Sequence, residues 1–103
     1  MESKFFSAWR DMATFSAEEP QLEALVDDDG VKVVLAGFMP GQSIPPHPES
    51  RGVFTILEGS GWMTIAEERM AVKAGAVAIV PEGVLRGFEA ETQMVVMATR
   101  IAS

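Results

Sequence analysis

Cysteine is absent from the 103 residues, and histidine occurs once. The first absence excludes disulfides, thiolate zinc sites, iron–sulfur clusters and a cysteine nucleophile. The second excludes any metal site that draws two or more imidazoles from one chain. Basic residues are also scarce: 8 Lys and Arg stand against 15 Asp and Glu, for a formal charge of -7 and a pI near 4.5. That balance is poorly suited to phosphate backbones, so no nucleic-acid partner is expected. No apolar run reaches the roughly 18 residues of a membrane helix, so no membrane partner is expected. Residues 1–12, MESKFFSAWRDM, hold no apolar stretch of signal-peptide length, and the expected location is cytoplasmic.

What is present suits one small domain with one core. The hydrophobic fraction is 48%, and the length fits a single domain. Beyond residue 20 the pattern is that of strands. Residues 21–28 alternate, with Leu22, Ala24 and Val26 on one face. Residues 31–39 form a continuous β-branched and apolar run, as in a strand buried on both faces. Further strands are read over 53–57, 62–66, 69–73, 76–80, 85–90 and 93–101. Between them lies turn chemistry: Asp27 to Gly30, Glu58 to Gly61, Glu67 with Glu68, and Pro81 to Gly83. Three consecutive Asp do not supply the alternating ligands of a calcium loop. A strand about every 8–12 residues predicts an all-β sandwich or closed barrel over residues 21–103. Residues 1–20 form an N-terminal arm. Phe5, Phe6, Trp9 and Met12 have helical spacing there, so a short helix and an extended arm both stay open.

Two segments carry more than a generic β pattern. In the first, Gly41 is followed after five residues by His47, then by Glu49, and the hairpin Phe54 to Gly59 ends in Glu58 and Gly59. In the second, Gly75 is followed after five residues by Pro81, one further residue and Gly83, with Arg86 and Ala90 beyond. Together, across about residues 31–101, they resemble the two motifs of the cupin superfamily, G-x5-H-x-H-x3-4-E-x6-G and G-x5-P-x-G-x2-H-x3-N. The resemblance implies a cupin-type jelly-roll barrel, a double-stranded β-helix. It also implies a homodimer. Exposed aromatics mark interfaces, and Phe5, Phe6, Trp9 and Trp62 are candidates for that contact.

In cupins, two histidines and a glutamate of the first motif and a histidine of the second hold a metal. Here His47 fills the first position and Glu49 the second. The glutamate position falls on Gly52 counting back from Gly59, or on Val53 or Phe54 counting forward from Gly41. The last histidine position holds Arg86, and the terminal asparagine position holds Ala90. Arginine stays protonated and has no acceptor, so it does not ligate a cation. His47 and Glu49 are then the only local metal candidates, too few for a tight transition-metal site. The expectation is a metal-poor site without a cofactor.

Three functions follow. The leading one is a small-molecule-binding barrel in which His47 and Arg86, with Glu49, recognise a small organic acid or a sugar-like compound. Arg86 offers a planar fork for carboxylate, and Phe54, Met63, Phe88, Met94 and Met97 are candidates for an apolar lining. The second is a metal-dependent cupin enzyme (dioxygenase, isomerase or decarboxylase). It would use His47 and Glu49 with substrate completing the sphere of Mn, Fe, Ni or Zn. The third is a structural or regulatory barrel with no ligand, where Arg86 pairs with Glu49 or another carboxylate in place of the metal. No catalytic residue is assigned. Ser43 and Ser50 lie near His47 but on no Gly-x-Ser-x-Gly turn. Gly59 and Gly61 open a strand rather than a phosphate-binding helix.

Overall fold

A computed structural model describes residues 2–102. Among the described residues, nine strands follow a single short turn of 3-10 helix at Trp9–Asp11. They are β1 Gln21–Asp28, β2 Val31–Phe38, β3 Ser43–His47, β4 Arg51–Glu58 and β5 Ser60–Ile65, then β6 Glu68–Lys73, β7 Val77–Val80, β8 Arg86–Ala90 and β9 Met94–Ile101. Sheet A runs β1-β2-β9-β4-β7 and sheet B runs β3-β8-β5-β6. All pairings are antiparallel. The two sheets face each other as a jelly-roll barrel, the double-stranded β-helix that the cupin resemblance implies. Among the described residues no helix is long and apolar enough to cross a membrane.

Alternation within each strand decides what faces the interior. Ala36 and Phe38 of β2, Phe54 and Ile56 of β4, and Met63 of β5 enter one core cluster. Phe88 and Ala90 of β8 and Met94, Val96 and Ala98 of β9 join them. Residues 34–38 are all buried, as the unbroken apolar run of β2 requires. The inner set packs in the core, and the N-terminal arm covers part of the outer face. A Cβ on Gly37 would overlap the Thr14 carbonyl and come within 3.2 Å of the Phe15 ring. Gln42 fixes the arm, donating to the Ser16 carbonyl (2.7 Å) and accepting from the Met39 N–H (2.8 Å). Apart from its one 3-10 turn, the arm is irregular.

Two local features depart from the sequence pattern. The turn between β5 and β6 falls on Ala66 and Glu67 rather than on Glu67 and Glu68, and Ala66 takes φ 55° there. Strand β3 contains Pro45 and Pro46 and does not read as a strand. It exists because it lies at the edge of sheet B, where missing N–H groups are tolerated. Its register with β8 slips between Ile44 and His47. Gly87 makes room for it: a Cβ there would sit 2.6 Å from the Pro46 nitrogen and 2.7 Å from the Ile44 carbonyl oxygen.

Candidate functional site

The chemistry-bearing side chains gather at one end of the barrel. In sheet B, His47 of β3 and Ile65 of β5 both lie opposite Arg86 of β8. In sheet A, Lys32 of β2 and Gly52 of β4 both lie opposite Arg100 of β9. Between these rungs is a cavity of about 40 Å³. Val34, Ala36, Phe54, Phe88, Val96 and Ala98 form its walls, with Leu22 and Ile44 from the edge strands β1 and β3. Its polar lining is His47, Glu49, Arg86 and Arg100.

Arg86 is 1% exposed and, among the described residues, is the only charged one that is buried. Its guanidinium makes four hydrogen bonds, all to main-chain carbonyls. Nε donates to Val84 (2.8 Å), Nη1 to Ser50 (2.9 Å), and Nη2 to Pro81 (3.0 Å) and Glu49 (3.5 Å). The side chain therefore ties the loop after His47 to the Pro81 to Gly83 turn. The Gly83 N–H adds a further link to the Glu49 carbonyl at 2.9 Å. The Phe54 ring lies 5.7 Å below the guanidinium. Burial lowers the Arg86 pKa, the Glu49 charge raises it, and the neighbouring Arg100 lowers it. Four of its five N–H groups are thus engaged. Its partners are carbonyls, not the carboxylate that a structural ion pair would use.

His47 and Glu49 come together, but loosely. The imidazole Nε2 is 3.5 Å from a Glu49 carboxylate oxygen, and both side chains are partly exposed, at 40% and 33%. Nδ1 lies 3.0 Å from the Pro45 carbonyl. Phe54 and Phe88 line the cavity, their ring centroids 5.5 Å apart. Met63 does not. It packs opposite Met70 and Phe88 and lines a separate apolar pocket of about 210 Å³ with Ile56 and Val72. Met94 is buried in the core and does not line the cavity, and neither does Met97. The aromatics read as a contact surface are also placed. Phe5 and Phe6 are exposed, while Trp9 and Trp62 are half-buried, each with an arginine stacked 4.4 Å from its ring.

Arg100 is the residue that sequence reading misses. A signal was there: Met94, Val96 and Ala98 alternate on the inner face, and the next inward position is 100.

The family model of the cupin domain matches residues 34–100. The chain belongs to the cupin family. Solved structures agree in fold. A conserved protein of unknown function from Streptococcus pyogenes has a TM-score of 0.86 at 18% identity, over 100% of this chain and 91% of that one. An uncharacterised conserved protein with a double-stranded β-helix domain from Klebsiella pneumoniae gives 0.85 at 22%, over 99% and 93%. An RmlC-like cupin from Desulfovibrio desulfuricans gives 0.80 at 24%, over 98% and 96%. No curated protein matches the sequence.

Cupins often carry a metal, but the donors of this cupin do not fit one. His47 and Glu49 are two donors where tight sites use at least three protein ligands. Among the described residues no group of three or more His, Cys, Asp and Glu could hold an ion. Arg86 places a cation where the last ligand would be. None of the candidate glutamate positions, Gly52, Val53 and Phe54, carries a ligating side chain, and a Cβ on Gly52 would lie 3.1 Å from the Phe54 ring.

Proposed function

We propose that this chain is a small-molecule-binding cupin that takes a small organic acid in its barrel. One observation carries the reading: an apolar cavity whose polar lining is two guanidinium groups, one imidazole and a single carboxylate. Ligand sites commonly combine apolar walls with a few convergent polar groups. The lack of hydroxyl and amide side chains on the walls favours an acid over a sugar-like compound, which needs many partners for its hydroxyls. A thermal-shift panel tests this with straight-chain carboxylates from acetate to hexanoate, neutral sugars and sugar phosphates. Saturable stabilisation by carboxylates alone is expected. A panel in which no carboxylate stabilises the protein would overturn the reading.

The chain is also read as a homodimer. Val77 and Ile79 of the edge strand β7, 62% and 72% exposed, support self-association. Sedimentation equilibrium should return twice the 11.1 kDa chain mass; a single chain mass would contradict it.

A further inference from the structure

We propose that Arg100 is the anion-binding residue of the barrel, and that the ligand is a short-chain monocarboxylate with its tail in the cavity and its carboxylate on the Arg100 guanidinium. This rests on the ligand-binding reading above and names its ligand class and the residue that recognises it.

The first argument is donor availability. Both arginines line the cavity, but Arg86 has four of its N–H groups on main-chain carbonyls. The Arg100 side chain makes no hydrogen bond or ion pair with any described residue, and the residue is half-buried. Its planar fork remains open to a carboxylate in bidentate fashion.

The second argument is charge. The protein carries a formal -7, yet the lining of this cavity holds two arginines against one carboxylate. Arg100 acts electrostatically on Arg86, and Lys32 lies directly opposite it on β2. Like charges across a strand pair are destabilising. Lys32 has Asp27 opposite it on β1, whereas Glu49 is the only acidic side chain lining the cavity. Leaving His47 aside, the cavity lining itself has two guanidinium charges and one carboxylate, a local excess of one positive charge, while Asp27 and Asp28 line the adjoining open pocket and add to the repulsion of a second negative charge. A monoanion balances the excess; a dianionic phosphate would overshoot.

The third argument is shape. About 40 Å³ holds about three waters, or a tail of three or four carbon atoms. Arg100 also lines a second, open pocket of about 270 Å³ with Asp27, Asp28, Lys32, Glu49 and Ser50. It thus stands at the boundary between an apolar cavity and a hydrated rim. A carboxylate there keeps part of its hydration while its tail leaves water, which limits the desolvation cost of binding.

Calorimetric titration at fixed low ionic strength tests the proposal, with butyrate and its neutral isostere butyramide as probes. Wild-type protein should bind butyrate more tightly than butyramide. Arg100→Gln should weaken butyrate by about 10- to 100-fold, as expected for lost charge-assisted hydrogen bonds, and leave butyramide within about threefold. Arg100→Lys keeps the charge without the fork and should fall between; it also serves if the Gln variant folds poorly. If butyrate binds wild type and both variants equally, Arg100 is not the anion-binding residue, while the cavity reading stands. If no straight-chain acid from acetate to hexanoate binds wild type, both fall.

Discussion

Arg86 stands on β8 and Arg100 on β9, and both line the same cavity from opposite sheets. Their surroundings differ. Arg86 is buried among the main-chain carbonyls of residues 49, 50, 81 and 84. Removing a guanidinium from water is costly, and charge-assisted hydrogen bonds must offset it. Once those bonds form, little of the group is left for a ligand. Arg100 sits two residues beyond Ala98 on the inner face, half-buried, its side chain with no hydrogen bond or ion pair to any described residue. The same side chain is a cross-link in one setting and an open receptor in the other. The number of backbone acceptors within reach decides which.

The largest effect expected from breaking this contrast is on stability. Arg86→Met should destabilise the fold by about 2–4 kcal/mol in urea unfolding, because four carbonyls lose a charged donor. An unchanged or raised midpoint would mean that the carbonyl contacts contribute nothing net. Next comes the ground on which Arg86 rests. Gly87→Ala drives a Cβ into the Pro46 and Ile44 backbone and should cost about 1–3 kcal/mol in the same assay. A silent substitution would show that β3 can move away freely.

Smaller effects sharpen the other side of the contrast. Glu49→Gln removes the carboxylate of the cavity lining that opposes a bound anion. It should raise butyrate affinity about threefold by calorimetry, with little change in stability, because its contact with His47 is partly exposed. A weakened butyrate affinity would place Glu49 on the attractive side of the site. The smallest effect belongs to Arg100→Gln without ligand: a shift within about 0.5 kcal/mol in urea, since no partner is lost. A loss comparable to that of Arg86→Met would make Arg100 a second structural arginine.

The barrel was largely legible in the sequence. Eight strands follow from alternation and from turn chemistry such as Gly59, where a φ of 79° and close approach to the Gln93 carbonyl leave no room for a Cβ. β3 was not legible as a strand, because two prolines argue against pairing and only its edge position permits it. At the site, spacing located His47, Glu49 and Arg86 at one end, and the loss of cupin ligand positions was visible from residue identity alone. The partners of Arg86 could not be read, because carbonyls leave no mark in a sequence. Met63 was put on the wrong wall, since alternation gives the face of a strand but not the depth along the barrel. Arg100 lies outside both motifs, and only the inward alternation of Met94, Val96 and Ala98 marks its position.

The contrast between the two arginines is tested most directly by the Nε–H resonances in a 15N-labelled sample titrated with butyrate, Arg100 being assigned from the signal lost in Arg100→Lys. The account predicts that the Arg100 resonance shifts saturably, while the Arg86 resonance stays in place and exchanges slowly with solvent. Saturable movement of Arg86 with a stationary Arg100 would contradict it.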